Sequence, residues 1–219
     1  MYESKQEKRI LNITNGDYFN NYFLSKFGGE ALPFREAMMD GDTVLDIYSQ
    51  DFIYQRAKSL CVSPEEYTQK ACVFDTLQKN TYDELNLWFG EDTFCQVNLL
   101  TLLAYLEQIS FSGKVTLHHI DDETFAILKR NVDVKLGSYQ KIYADILIQR
   151  WRPNEIGVLN QKAMDLYFDY LSPTGALSML VKENADMNKP ALLRLLIENS
   201  KDYGLSSMQA ERLIQRNAK

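Results

Sequence analysis

Short apolar runs alternate with helically spaced apolar residues along the first 120 residues of the chain. The runs predict four strands, at 9–14, 30–32, 84–89 and 114–119. The helical spacing predicts four helices, at 18–26, 50–60, 64–78 and 93–108. Asp17 and Ser63 precede two of these helices and are predicted to cap their free backbone N–H groups. Because helices separate the strands, the pattern favours a parallel sheet with right-handed crossovers.

After Gly137 the strand pattern fades, and helical spacing continues to the end of the sequence. Five helices are predicted there, at 139–150, 155–170, 175–181, 190–203 and 207–217. Pro153 and Pro173 separate the first three, since proline disfavours helical backbone in the residue before it. We therefore predict an α/β fold with a Rossmann-like, mostly parallel sheet over residues 1–137. An all-helical module is predicted to follow over residues 138–219.

The composition fits a globular protein that needs no disulfide or metal to fold. The 219 residues are 45% hydrophobic and 25% charged, which is enough chain to bury a large core. The three cysteines form no CxxC pair, which predicts a reduced, cytoplasmic setting. Residues 1–9 are highly charged and lack the apolar stretch of a signal peptide. No apolar run approaches the roughly 20 residues of a transmembrane helix, so no membrane partner is expected.

The charge distribution argues against nucleic acid as a partner. The formal net charge is -6, and residues 138–219 carry 11 Lys+Arg against 9 Asp+Glu. The acidic excess therefore belongs to the predicted α/β part, which would repel a phosphate backbone. A small-molecule ligand and a protein partner are the partners that remain.

The run Leu87–Gln96 (LWFGEDTFCQ) is the most informative segment of the chain. An apolar strand pattern breaks at a glycine, continues into two carboxylates and then begins a helix. The run Ile10–Asp17 (ILNITNGD) has a similar design. In open α/β sheets, ligands bind beyond the carboxyl ends of strands, where such turns project polar groups. The two runs together predict a polar pocket at that edge.

Three spaced motifs also carry a resemblance to a known family. They are Asn12–Asp17 (NITNGD), Leu32–Glu36 (LPFRE) and Leu87–Asp92 (LWFGED) with the following Gln96. Together with Tyr203–Ser206 (YGLS), they make the chain similar to the bacterial family catalogued as domain of unknown function 1835. The resemblance covers most of the chain. It implies an α/β N-terminal part and a helical C-terminal part, and it implies no established activity.

Five positions match the motifs of that family and are carried over as candidate pocket residues: Asn15, Asp17, Arg35, Asp92 and Gln96. Other positions depart from the pattern. Asn12 stands where the family often has His, Phe34 where it has Trp and Glu36 where it has Asp. Residues 40–42 (DGD) replace Glu-Gly-Pro, and residues 90–91 (GE) replace a Glu-x pair.

Three of the candidate residues suit recognition of an anionic ligand. Arg35 can bind a phosphate or carboxylate through two parallel hydrogen bonds. Asn15 and Gln96 can read hydroxyl or amide groups, and Glu91 is a further candidate ligand contact. The structural alternative is that Arg35 pairs with Asp17 or Asp92. Neither a P-loop nor a glycine-rich dinucleotide motif occurs in the sequence.

Asp17 and Asp92 are the candidate catalytic residues. Either could act as a general base or bind hydrated Mg²⁺, which prefers carboxylate oxygen. The alternative is that each merely caps a helix, and the two roles are compatible. Cys95 is interpreted as a structural cysteine, because the flanking carboxylates oppose a thiolate. The adjacent His118 and His119 are weak evidence for a metal site, and no metal ligand set is assigned.

Two functions from different classes follow from this pattern. The first is binding, with or without turnover, of a small anionic metabolite or nucleotide at the carboxyl edge of the sheet. The second is a non-catalytic regulatory or scaffold role, in which the helical module binds a protein partner. The sequence leaves open whether the protein is an enzyme.

Overall fold

The computed structural model describes residues 8–217, so the charged opening segment 1–7 and residues 218–219 lie outside the described residues. A five-stranded sheet has the order β2-β1-β3-β4-β5. Its strands are β1 (Ile10–Asn15), β2 (Ala31–Phe34), β3 (Glu84–Gly90), β4 (Lys114–Ile120) and β5 (Ile127–Asp133). The first four run parallel, and β5 pairs antiparallel with β4. The predicted α/β fold with a mostly parallel sheet is confirmed.

Helices flank the sheet and continue to the end of the described chain. The first five are α1 (Asp17–Phe27), α2 (Gln50–Leu60), α3 (Pro64–Lys70), α4 (Cys72–Gln78) and α5 (Thr93–Gln108). The later ones are α6 (Tyr139–Tyr143), α7 (Gln161–Leu171), α8 (Ala176–Glu183), α9 (Lys189–Asn199) and α10 (Ser207–Asn217). A π-helical turn, Ala144–Ile148, extends α6, and a 3₁₀ turn, Lys201–Tyr203, precedes α10. None of the helices within residues 8–217 is long and apolar enough to cross a membrane.

The two faces of the sheet bury different clusters. Successive side chains of a strand point to opposite faces. Leu85, Leu87 and Phe89 of β3 join the main core, which also contains α5. Trp88 points the other way, into a smaller aromatic cluster with Phe19 and other residues of α1. Helices α1 and α5 therefore cover opposite faces.

The central helix of the main core is α5, and its predicted bounds are confirmed. From Thr93 to Leu106 all of its residues except Phe94 are buried. A helix that is apolar around its whole circumference belongs in the interior, with neighbours on every side. Asp92 caps it, accepting a hydrogen bond from the Cys95 amide at 2.9 Å.

The structure of the first 137 residues differs from the sequence predictions at three points. The strand β5 was not predicted, because an exposed edge strand with the sequence ILKRNVD has no apolar face. The predicted helix 64–78 breaks at Ala71, whose ψ of 26° is not helical. Asp17 is the first residue of α1 and not its N-cap, since Gly16 holds that position without a side-chain cap. The predicted Ser63 cap is confirmed.

The C-terminal helices also differ from the prediction at their ends. The helix predicted over 139–150 widens into the π turn, where the Gln149 amide bonds to the Ala144 carbonyl. The helix predicted over 155–170 begins only at Gln161, because Asn160 provides its cap. The helix predicted over 190–203 ends at Asn199, followed by the 3₁₀ turn.

The main core runs without interruption from the sheet into these helices. It contains Leu11 of β1, Leu99 of α5, Tyr167 of α7 and Leu213 of α10. The Thr93 hydroxyl at the start of α5 donates to backbone carbonyls of both α7 and the 3₁₀ turn. The division into units at residues 1–137 and 138–219 stays a prediction, and a shared core joins the two parts.

Candidate functional site

The strand order reverses between β1 and β3. β1 leads through α1 to β2 on one side, whereas β3 leads through α5 to β4 on the other. Because α1 and α5 cover opposite faces, the turns after β1 and β3 diverge at the carboxyl edge of the sheet. Open α/β sheets bind ligands in the crevice that forms at such a reversal. The polar residues predicted at the ends of β1 and β2 therefore lie where the topology opens a crevice.

A cavity of about 410 Å³ lies beside this reversal. Its polar lining includes Asn15 and Asp17 from the turn after β1, Arg35 from the end of β2, and Lys70 from α3. Its apolar walls are Phe34, Leu60 and Phe94. We call it the Arg35 cavity. Three of the six predicted site residues, Asn15, Asp17 and Arg35, line it together.

Arg35 is held in place by Asp17. Its Nε lies 2.9 Å and 3.0 Å from the two carboxylate oxygens, and its Nη2 lies 2.7 Å from one of them. The ion pair raises the pKa of Arg35 further above its ordinary value. Nη1 faces the Cys72 sulfur at 3.9 Å and meets no carboxylate among residues 8–217. The guanidinium is thus oriented on one side and retains N–H donors on the other.

Asn15 connects the cavity to α5. Its Nδ2 donates to the Cys95 sulfur at 2.8 Å, and its Oδ1 accepts from Asn98 Nδ2 at 3.1 Å. Asn98 is fully buried and also bonds to the Glu36 carbonyl and the Met38 amide. This buried amide ties the ends of β1 and β2 to the central helix. Sequence reasoning missed Asn98, which is flanked directly by Val97 and Leu99 in a mostly apolar helix.

Asp92, Cys95 and Asp122 form a compact cluster at the ends of β3 and β4. One ligand atom from each lies within 4.8 Å of the others. Asp122 is exposed as a residue, but its carboxyl turns inward, and the Cys95 thiol donates to it at 3.4 Å. Withdrawal from water and the neighbouring Asp92 carboxyl raise the pKa of Asp122 to about 8. Burial and the same carboxyls raise the pKa of the Cys95 thiol well above its ordinary value.

Two glycines make room for these carboxyl groups. A Cβ at Gly90 would lie 1.7 Å from an Asp122 oxygen, and a Cβ at Gly204 would lie 2.3 Å from an Asp92 oxygen. Both distances are far inside van der Waals contact. Gly204 precedes α10 and has a positive φ of 66°, a backbone conformation that glycine adopts without strain. The C-terminal helices therefore form one wall of the cluster.

An open acidic cleft of about 440 Å³ lies outside the cluster. Glu91 and Asp92 line it from the end of β3, and residues 121–123 (DDE) line it from the end of β4. Lys162 and Lys201 stand opposite, and each pairs with a carboxylate of the cleft at 2.6 Å and 3.1 Å respectively. Closely spaced carboxylate oxygens suit a hard divalent cation such as Mg²⁺, whereas the neutral Cys95 thiol does not.

The two histidines at the end of β4 are neutral at pH 7. His118 stacks on Trp88, with ring centroids 4.0 Å apart, and burial lowers its pKa to about 4. Burial also lowers the pKa of His119, whose Nδ1 lies 3.4 Å from Glu91. Glu91, which was predicted to contact the ligand, thus lies beside His119 and lines the acidic cleft. The two rings point to opposite faces of the sheet, as the strand alternation predicts.

Gln96 lies behind the cluster, away from both cavities. It is fully buried, its Nε2 donates to the Gly90 carbonyl at 2.6 Å, and its Oε1 accepts from the Asn160 amide at 2.9 Å. Both ends of the side chain are thus occupied by the backbone. Gln96 holds the end of β3 against the start of α7, and this contact also explains why α7 begins late.

Asp122 and Lys70 are further residues that sequence reasoning did not select. A signal for Asp122 was present, because it follows β4 and the carboxyl ends of adjacent parallel strands meet at one edge. Lys70 gave no signal, since it reaches the Arg35 cavity from a helix that is distant in sequence.

Comparison of the chain with protein-family models, with curated proteins and with solved structures found no match. The resemblance to the family of unknown function therefore stays a prediction.

Proposed function

We propose that this protein binds a small anionic metabolite, such as a nucleotide or sugar phosphate, at the carboxyl edge of its sheet. The supporting observation is the Arg35 cavity at the strand reversal, with a guanidinium that is fixed by Asp17 and still has free donors. Arginine binds phosphate and carboxylate groups through planar, paired hydrogen bonds. The anion would therefore contact Arg35 first.

Each wall of the cavity has a role in this proposal. Lys70, whose ammonium pairs with Glu66 at 2.6 Å, brings a second basic group to the cavity. The free N–H groups at the start of α1 favour an anion in the same place. Phe34, Leu60 and Phe94 offer apolar surface to the organic part of the ligand. A phosphate group joined to an apolar or aromatic moiety fits both surfaces.

The cluster of Asp92, Cys95 and Asp122 adjoins the cavity through Asn15, which contacts the Cys95 sulfur. The raised pKa of Asp122 favours the protonated form of its carboxyl, which is suited to act as a general acid. Asp92 and Asp122 would hold a divalent cation such as Mg²⁺, which would supply positive charge for a phosphate group. Binding is the core of the proposal, and turnover would use Asp92 and Asp122.

A thermal-shift screen of nucleotides, sugar phosphates and carboxylates, each with and without Mg²⁺, tests the proposal. A ligand at about 100 times its Kd adds roughly 2.7 kcal/mol to the free energy of unfolding. We expect a shift of several degrees that Arg35→Gln abolishes. Arg152→Gln is the matched control, because Arg152 is also an exposed arginine paired with an aspartate at 3.1 Å.

Two results would contradict the proposal. One is the absence of a shift across a broad panel, which would favour a non-catalytic scaffold whose C-terminal helices bind a protein. The other is an equal shift in wild type and Arg35→Gln. Asp92→Asn separates ligand binding from chemistry. If this variant still binds the ligand but loses Mg²⁺ dependence or turnover, the cluster of Asp92, Cys95 and Asp122 has a role in metal binding or catalysis.

A further inference from the structure

A second cavity, of about 380 Å³, lies between the loop after β2 and the C-terminal helix α10. Three arginines line it: Arg150, Arg212 and Arg216. We call it the arginine cavity. It shares no lining residue with the Arg35 cavity, so the two can be tested separately.

Local structure brings the three guanidinium groups together from two parts of the chain. Arg212 and Arg216 lie four residues apart on α10, so their side chains project from the same face of the helix. Arg150 follows the π turn in a left-handed backbone conformation, with φ of 56°. A non-glycine residue in that region costs about 1 kcal/mol or more, and it is found where the surrounding structure imposes it.

Each arginine has defined contacts that orient it. Arg212 lies 3.1 Å from a carboxylate oxygen of buried Asp40. Arg216 donates to the Tyr170 carbonyl at 2.6 Å and stacks over the ring of the same tyrosine. Arg150 donates to the hydroxyl of buried Tyr167 and lies 3.7 Å from Asp42, a carboxylate that is 80% exposed. Since a guanidinium has five N–H donors, these contacts leave donors on all three groups.

The floor of the arginine cavity is held rigidly. The side chain of Arg56 is fully buried and donates to the Asp40 and Asp42 carbonyls at 2.7 Å and 3.1 Å. Between them, Gly41 has φ of 72°, and a Cβ there would lie 2.3 Å from the Ser59 hydroxyl. The loop of residues 40–42 is therefore fixed against α2.

The charges of the cavity do not balance. Three guanidinium groups face one buried carboxylate and one exposed carboxylate that is too distant for a hydrogen bond. This local positive excess occurs in a protein whose formal net charge is -6. Two like charges four residues apart on a helix repel each other unless an anion lies between them.

We propose that the arginine cavity binds the phosphate group of a phosphorylated small molecule. The planar arginine donors match phosphate oxygens in pairs. Met39, Leu171 and Leu213 line another part of the cavity and offer apolar surface to the remainder of the ligand. The site is independent of the anion site proposed at the sheet edge.

Calorimetric titration with pyrophosphate and with inorganic phosphate, in metal-free buffer at constant ionic strength, tests this site. The full chain is titrated both as wild type and as Arg35→Gln. Because Arg35→Gln removes the key residue of the sheet-edge site, pyrophosphate binding by this variant tests the arginine cavity whether or not the sheet-edge site exists. We expect both proteins to bind pyrophosphate. Arg150→Gln and Arg216→Gln should each weaken that binding about tenfold or more, because each removes a charge-assisted contact.

The variants avoid Arg212, because its removal would leave Asp40 buried without a counter-ion. Arg194→Gln is the matched control, since Arg194 is an exposed arginine on α9 that lines neither cavity. Unchanged binding in Arg150→Gln and Arg216→Gln, or no pyrophosphate binding by wild type at millimolar concentration, would overturn the proposal.

A second measurement uses only the wild-type chain and so does not depend on how the variants fold. Phenylglyoxal modifies accessible guanidinium groups, and mass spectrometry locates the modified residues. Pyrophosphate should slow modification of Arg150 and Arg216 and leave Arg194 unaffected. Equal rates at all three residues with and without pyrophosphate would count against the site.

Discussion

Two arginine–carboxylate pairs beside the Arg35 cavity have the same chemistry and opposite surroundings. Arg35 and Asp17 form their pair at the surface, with side chains 35% and 59% exposed. Arg56 and Glu36 form theirs in the core, with side chains 0% and 1% exposed. The surface pair is available to a ligand, whereas the buried pair fixes the loop that separates the two cavities.

Breaking the buried pair should therefore lower the free energy of unfolding more than breaking the exposed pair. Arg56→Met leaves the Glu36 carboxylate buried without a counter-ion, and we expect the free energy of unfolding to fall by about 3–5 kcal/mol. Arg35→Met removes an exposed pair and should cost no more than about 1 kcal/mol. Denaturant unfolding of the two variants measures the difference. Similar losses in both would show that burial does not distinguish the pairs.

At the scale of elements, α5 organises both the core and the site. Its buried length supports the sheet from one face, while Asp92 caps it and Cys95 and Gln96 lie in its first turn. The cap at Asp92 is structural, and the proposed function gives the same side chain a second role. Asparagine caps helices about as well as aspartate, but alanine does not. This difference allows the two roles to be separated.

Asp92→Ala should unfold more easily than Asp92→Asn by about 1 kcal/mol, because only the asparagine retains the cap. Both variants remove the charge that opposes ionisation of Asp122, so the difference between them isolates the cap. Thermal or denaturant unfolding at one fixed pH provides the measurement. Equal stability of the two variants would mean that the side chain of residue 92 does not stabilise α5.

At the scale of the whole molecule, the C-terminal helices complete the fold and one wall of the site. Leu192 and Leu196 of α9 and Leu213 of α10 belong to the same core as the sheet. Gly204, just before α10, accommodates the Asp92 carboxyl. We infer that the two predicted parts depend on each other for stability.

Unfolding should accordingly be one cooperative transition. Trp88 lies in β3, so its fluorescence reports on the sheet once Trp151 is replaced by Phe. Far-UV circular dichroism reports mainly on the helices, many of which follow residue 137. We expect both signals to give the same midpoint in denaturant. Two separate midpoints would instead support independent units divided at residue 137.

The sequence by itself determined the elements whose pattern is strongly local. The bounds of α5 and α10 and the cap at Ser63 follow from apolar spacing and capping chemistry. The strand ends at Asn15 and Gly90 also follow within a residue, because each apolar run stops at a polar turn. The sequence predicted one pocket that holds Asn15, Asp17, Arg35, Glu91, Asp92 and Gln96. The structure places the first three at the Arg35 cavity, Glu91 and Asp92 at the acidic cleft, and Gln96 in the interior.

Only the tertiary structure decided the features that depend on distant partners. The charged strand β5 forms because β4 supplies its hydrogen bonds, and α7 begins late because Gln96 binds the Asn160 amide. The raised pKa of Asp122 likewise comes from withdrawal of its carboxyl from water and from the neighbouring Asp92, 30 positions earlier in the chain. The three arginines of the arginine cavity come from two distant parts of the chain, Arg150 after the π turn and Arg212 with Arg216 on α10. Local patterns set which residues are polar at a strand end, whereas folding alone sets what those residues contact.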